Sequence, residues 1–217
     1  MASVADILND LNDFGFADTS TTSKLARIND SIRDICKRKA WPFLETSTTL
    51  TFDGTNAKPS NLPALFRASR AVVDPTNGRT IHWVRLDALE KQNALLITQT
   101  GDPLVYYFEG RNLQVAPIPP SSQTLRLRYY QFHPLVDATT LESGILIPPD
   151  GHWAITLGTL IKLYAQDDDP QMSQWARGEF EAEVANLIDD QFGLQYDRPE
   201  HIYVPDDDDH FYYDGPF

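Results

Sequence analysis

Apolar residues repeat at helical spacing at the beginning of the chain. The members of this first stripe are Val4, Ile7, Leu8 and Leu11. Ser3 precedes the stripe and can cap a helix, and Asp6 falls in the first turn, where a negative charge suits the helix dipole. The pattern therefore predicts a short N-terminal helix that ends near Gly15.

A longer stripe of the same period predicts a second helix from Lys24 to about Ala40. Its apolar members are Leu25, Ile28, Ile32, Ile35 and Cys36. The last turn carries three basic residues, which suit the negative end of the helix dipole: Lys37, Arg38 and Lys39. Pro42 follows and is expected to end the helix, because a proline disfavours helical conformation in the residue before it.

The pattern then changes to the alternation of apolar and polar residues that is typical of strands. Six candidate strands follow one another: 44–52, 68–74, 79–86, 103–110, 112–118 and 124–132. A short helix is expected in RLDALEKQNALL, and a hairpin turn from Glu109 to Asn112. Short strands separated by turns rich in Pro and Gly favour a small antiparallel sandwich or barrel.

Helical spacing returns after Pro148 and Pro149, which mark a helix start. The apolar face of this helix comprises Trp153, Leu157, Leu160, Ile161 and Tyr164. A last helix is predicted from about Gln171 to Gln191, and its stripe comprises Met172, Trp175, Phe180, Val184, Leu187 and Ile188.

These elements predict an α+β fold with a β module inserted into a helical bundle. Amphipathic helices of this length are marginal alone in water, so those at the two ends of the chain should pack on each other. We place the two parts of the bundle at 1–43 and 136–195, and the inserted β module at 44–135. An extended C-terminal arm occupies 196–217.

Composition narrows the possible functions. The chain has 217 residues, 41% of them hydrophobic, and no apolar run of about 18 residues that would predict a membrane span. Its formal net charge is −13, which argues against non-specific binding to DNA, because phosphate backbones bind clustered Lys and Arg. The N-terminus lacks the features of a signal peptide, and Cys36 is the single cysteine. Both favour synthesis in a reducing cytoplasm.

The sequence contains no recognisable catalytic or metal-binding motif. Cys36 lies in the apolar stripe of a helix, which favours a buried structural thiol over a nucleophile. The five histidines are scattered, whereas a zinc site needs three or four convergent ligands. The run Asp206 to Asp209 lacks the alternating spacing and the glycine of a calcium loop. We therefore expect no enzymatic activity, no cofactor and no metal.

Three stretches, taken in order, resemble one protein family. They are RINDSIRDICKRKAWPFLETSTTLTF, NLPALFRASRAVV, and the run that begins YFEGRNLQVAPIPP and continues to the helix IPPDGHWAITLGTLIKLYA. The order is a helix ending in Trp-Pro-Phe, a Leu-Pro step before a strand, a hairpin ending in Pro-x-Pro, a Tyr-Tyr strand and a Pro-led helix. Over roughly residues 20–190 the chain resembles the head-to-tail adaptor, or connector, proteins of tailed bacteriophages.

The resemblance implies a structural protein of the virion neck, made in the cytoplasm of the bacterial host. Such a protein would form a ring, commonly of twelve subunits, beneath the portal protein and above a downstream neck or tail protein. The helices would surround a channel through which genomic DNA passes during ejection without tight binding. In that channel Lys37, Arg38 and Lys39 are candidates for weak phosphate contacts; the alternative is that their charge only complements the helix dipole.

The end of the chain combines aspartates with aromatic residues. We interpret the segment from Arg198 to Phe217 as an arm that docks on another chain, since Pro199, Pro205 and Pro216 disfavour helix. Buried aromatic side chains dominate interface energy, so the expected anchors are Tyr203, Phe211, Tyr212, Tyr213 and Phe217. The alternative is that the arm folds back on its own β module.

Two other functions remain open from the sequence alone. The aromatic residues of VYYFEG and LRYYQF would suit a non-catalytic β-sandwich that binds sugar or protein, provided that they are exposed. An enzyme with a shallow carboxylate site is a third possibility, which any acidic protein can accommodate.

Overall fold

The computed structural model describes residues 3–193, and this part of the chain has an α+β fold, as predicted. Its six α-helices are α1 (Val4–Leu11), α2 (Thr21–Arg38), α3 (Leu86–Asn93), α4 (Leu95–Thr98), α5 (His152–Gln166) and α6 (Pro170–Ile188). Its six strands are β1 (Glu45–Phe52), β2 (Phe66–Asp74), β3 (Arg79–Trp83), β4 (Val105–Glu109), β5 (Asn112–Ala116) and β6 (Gln123–Gln131). Within these residues, every helix is too short or too polar to span a bilayer.

The N-terminal helix forms where its sequence predicts. Ser3 is the N-cap of α1, and its hydroxyl accepts a hydrogen bond from the backbone N–H of Asp6. The Asp6 carboxylate in turn accepts a hydrogen bond from the backbone N–H of Ser3, 2.7 Å away. These reciprocal bonds satisfy two of the donors that a helix start leaves unpaired. The backbone N–H of Ser3, and after it the Ser3 hydroxyl, lower the pKa of Asp6 by donating to its carboxylate.

Helices from both ends of the chain share one hydrophobic core. Buried residues of α1, α2, α5 and α6 belong to it, among them Val4, Ile7, Ile28, Ile32, Ile35, Leu157, Leu160, Val184 and Leu187. Helix α5 lies at the centre, in contact with α1, α2 and α6. This core holds together segments that are more than 100 residues apart, and the strands lie between them in the sequence.

Gly158 of α5 lies where three helices come closest. A Cβ atom placed on this residue would lie 2.1 Å from Ser31 Oγ of α2 and 3.0 Å from the Phe180 ring of α6. The Ser31 hydroxyl donates a hydrogen bond to the carbonyl of Ile155, 3.0 Å away. Only glycine lets the three backbones approach this closely without displacing a side chain.

The strands form one curled, mixed sheet in the order β1-β6-β2-β3-β4-β5. All neighbours are antiparallel except β3 and β4, which pair in parallel through His82 and Trp83. The all-antiparallel arrangement predicted from the turns is therefore wrong at this pair. The segment between β3 and β4 is the cause, because it contains α3 and α4 and returns the chain to the same end of the sheet.

The aromatic residues of the sheet are mostly internal. Tyr106 and Tyr129 belong to the core that the curled sheet encloses, together with Leu50, Phe52, Val72, Leu113, Leu125 and Leu127. Tyr107 points to the other face, where it packs with Leu89 of α3 and Ala116 of β5. These tyrosines are structural, and they do not form the exposed aromatic surface on which a sugar-binding module would depend.

Candidate docking surfaces

The three basic residues at the end of α2 have different environments. All three are exposed, but the guanidinium of Arg38 donates to both carboxylate oxygens of Glu181 on α6, at 2.6 and 3.1 Å. It also lies over the ring of Phe180, 5.7 Å from the centroid. Arg38 therefore ties α2 to α6, and its charge is matched within the chain, which leaves Lys37 and Lys39 as the exposed cations of this turn.

The single cysteine has the environment of a structural residue. Cys36 is 6% exposed and packs into the helical core. Burial raises the pKa of its thiol to about 12, and the nearby charge of Arg67 offsets only part of this effect. A thiol that stays protonated at neutral pH is a poor nucleophile. Among the described residues, no three His, Cys, Asp or Glu side chains converge as a metal site would require.

A groove lies between the last three turns of α2 and the ends of β2 and β6; we call it the α2–β6 groove. Its volume is about 350 Å³. Ile32 and Cys36 form its floor, and three apolar side chains border it and are exposed: Leu65 (39%), Phe132 (55%) and Leu135 (78%). An exposed apolar cluster of this kind typically marks a binding surface.

The rim of the α2–β6 groove is basic. Arg33, Lys37 and Arg67 line it, and none of the described residues that line it is acidic. The Arg67 guanidinium donates to the carbonyl of Cys36, 2.9 Å away, while Arg33 pairs with Asp30 outside the groove at 2.8 Å. The surface thus combines an apolar floor with positive charge in a protein whose net charge is −13.

His133 fixes one wall of the groove. The backbone N–H of Leu146 donates to its Nε2, 2.9 Å away. Nδ1 therefore carries the proton of the neutral ring and donates to the carbonyl of Pro134, 2.6 Å away. Burial lowers the pKa of His133, and the hydrogen bond to Pro134 opposes this only in part. The neutral ring ties the segment that carries Leu135 to the loop that precedes α5.

A second exposed surface lies on the helices; we call it the aromatic patch. Phe14 contacts Trp153 of α5 and Trp175 of α6, with ring centroids 6.0 and 6.3 Å apart. The two tryptophans are 37% and 40% exposed, although both lie in the stripes from which a buried position was expected. Helical spacing assigned them to the apolar faces of their helices, but it could not show that no further element covers them within the described residues.

Charge is distributed unevenly between the parts of the chain. Residues 44–135 contain nine basic and seven acidic side chains, a net charge of +2. Residues 136–193 contain two basic and eleven acidic side chains, a net charge of −9. The exposed acidic residues of α6 include Glu179 and Glu181, and Glu183 is half-buried. The helical side of the molecule therefore carries most of the negative charge of the described residues.

The predicted anchors of the C-terminal arm lie outside the described residues, as do the aspartates of the run: Tyr203, Asp206 to Asp209, Phe211, Tyr212, Tyr213 and Phe217. The last described residues nevertheless have defined contacts. Phe192 contacts the ring of Trp41, with centroids 5.7 Å apart. The Trp41 indole N–H donates to the carbonyl of Ile35, 2.8 Å away. The last described residues therefore lie beside the C-terminal end of α2.

Comparison with known proteins identifies one family. The family model described as SU10 adaptor protein matches residues 1–204, a range that includes the helical core, the core of the sheet, the α2–β6 groove and the aromatic patch. No curated protein matches the chain.

Proposed function

Because the chain belongs to the SU10 adaptor protein family, a family of phage head-to-tail adaptors, we propose that it forms a ring of twelve copies beneath the portal of a tailed phage. The ring extends the DNA channel, joins the capsid to a downstream neck or tail protein, and has no catalytic activity. The family match over residues 1–204 is the observation that carries this proposal.

The division of the chain into a helical core and a β module supports one arrangement of each copy in the ring. The helical core, residues 1–43 and 136–195, forms the body around the channel, and the β module, residues 44–135, projects from it. The surplus of negative charge in residues 136–193 favours a channel through which DNA slides, since like charges repel. Lys37 and Lys39 are the candidates for isolated phosphate contacts, because Arg38 is paired with Glu181.

The C-terminal arm, residues 196–217, docks on another chain in this proposal. Truncation after Asp197 tests it, because the described core ends before that residue. We expect a truncated monomer with nearly unchanged stability that fails to join its ring or the portal. A truncated protein that unfolds, or one that assembles as the full chain does, would contradict a docking role for the arm.

A measurement of mass tests the ring itself. The purified chain is mixed with purified portal rings from the same phage, and the complex is sized by sedimentation. We expect one population whose added mass equals twelve copies, with the chain alone as the control. A sugar-binding module or an enzyme would leave the portal unchanged in mass. The buried positions of Tyr106, Tyr107 and Tyr129 give no support to the sugar-binding alternative.

A further inference from the structure

We infer that the α2–β6 groove of each copy receives the last twelve residues, Asp206 to Phe217, of the neighbouring copy. The inference rests on the proposed ring and names the surface on which its arm docks. It also explains why a strongly acidic protein keeps a basic, apolar groove exposed.

The chemistry of the two surfaces is complementary. The segment carries five aspartates, Asp206 to Asp209 and Asp214, and four aromatic residues, Phe211, Tyr212, Tyr213 and Phe217. The groove offers three basic side chains at its rim and an apolar floor. The rim charges attract the aspartates and steer the encounter, and the aromatic rings cover Leu65, Phe132 and Leu135, whose exposure in water is unfavourable.

The length of chain between the described residues and the acidic segment allows docking on a neighbouring copy. Gly193 lies beside Trp41, which packs against the end of α2, and α2 itself lines the groove. Twelve residues, 194–205, separate Gly193 from the acidic segment, and twelve extended residues reach up to about 40 Å. A spacer that can extend this far allows the segment to leave its own subunit, and it contains Pro199 and Pro205, which disfavour helix.

Docking of each segment on the next copy also closes the ring of subunits. Each copy contributes one segment and one groove, so the contact is heterologous, with different surfaces on the two partners. Heterologous contacts form a closed ring when the rotation between copies allows it. The same contact made around the whole circle therefore holds every copy to the next.

Site-directed disulfide formation tests the inference in the full-length chain. Leu135→Cys in the groove and Phe211→Cys in the segment are combined with Cys36→Ala, which removes the native thiol. The protein is oxidised with diamide, alone and on portal rings, and run on non-reducing gels. The matched control pairs Phe211→Cys with Leu95→Cys, because Leu95 is similarly exposed, at 68%, but lies on α4 beside β5.

We expect a ladder of covalent multimers from the Leu135→Cys pair and none from the Leu95→Cys pair. A cross-linked monomer would show that the segment docks on its own chain, and equal ladders or no cross-links would show that it does not use the groove; each result overturns the inference. Electron microscopy of the unoxidised protein on portal rings separates the two proposals. Rings without a ladder contradict the inference alone, whereas absence of rings contradicts the proposed function.

Charge reversal at the rim provides a second readout. Arg33→Glu with Lys37→Glu should slow ladder formation on the order of tenfold at low salt, because the rim would repel the aspartates. Lys58→Glu with Lys91→Glu is the control, since both lysines are exposed on the β module and the change in net charge is the same. If both pairs of substitutions slowed ladder formation equally, the effect would come from the change in net charge alone, and this would contradict specific docking at the rim.

Discussion

Gly158 is a position where local preference and packing oppose each other. In the interior of a helix, alanine is favoured over glycine by about 1 kcal/mol. At Gly158 the new methyl group would meet Ser31 Oγ at 2.1 Å, and overpacking of this kind costs about 1–3 kcal/mol. We expect Gly158→Ala to lower the free energy of unfolding, as measured by urea denaturation.

Gly178 of α6 is the matched control. A Cβ atom there would meet nothing within 4 Å, so Gly178→Ala should raise the free energy of unfolding by about 1 kcal/mol through helix propensity alone. Equal effects of the two substitutions would contradict the close approach of α2, α5 and α6.

His133 should give stability a dependence on pH. Its pKa in the folded protein is lower than the ordinary value of 6.5, so the unfolded chain binds the proton more readily. The contribution of the neutral ring is therefore fully present above pH 6.5 and is lost as the pH falls through the lower folded pKa. His133→Gln should flatten this dependence between pH 7 and pH 5. His82→Gln, at an exposed position of β3, should leave it unchanged.

Single residues show which buried positions the apolar stripes of the helices predict correctly. The stripes of α2, α5 and α6 correctly predicted Ile28, Ile32, Leu157, Leu160, Val184 and Leu187 as core positions. Trp153 and Trp175 have the same spacing but are partly exposed. Periodicity gives the direction of a side chain from its helix, but burial depends on whether another element covers it.

At the scale of elements, Arg38 joins the end of α2 to α6. Its ion pair with Glu181 is bidentate but lies at the surface, where such pairs contribute up to about 1 kcal/mol. A double-mutant cycle with Arg38→Ala and Glu181→Ala should give a coupling energy of that size. Lys39→Ala should change stability by less than about 0.5 kcal/mol. A coupling energy near zero would show that Arg38 is free to serve another partner.

The sheet shows which features of an element the sequence can determine. Alternation and turn residues predicted all six strands and the β4–β5 hairpin, where Gly110 has a φ of +62°. The strand order and the parallel β3–β4 pair depend on contacts between distant segments. Each candidate strand presents similar backbone N–H and C=O groups to any neighbour. The pattern of its own residues therefore does not determine which strand it pairs with. Likewise, the α2–β6 groove combines residues from positions 29 to 135, and no local pattern indicates it.

At the scale of the whole molecule, the charge predicts weak binding to free DNA. With a net charge of −13, duplex DNA is repelled except at isolated basic residues. Fluorescence anisotropy with a short labelled duplex should detect little binding at physiological salt. Lys37→Ala with Lys39→Ala should change the result only slightly. Tight binding that weakens steeply with salt would contradict a channel surface past which DNA slides.

The central claim is that this chain forms the ring beneath a phage portal. The most direct test is cryo-electron microscopy of the full-length chain bound to portal rings of the phage that encodes it. We predict a closed ring of twelve copies under the portal, coaxial with its channel, with the helical cores around the opening and the β modules outside. Isolated copies scattered on the portal, or a portal with no added density, would contradict it.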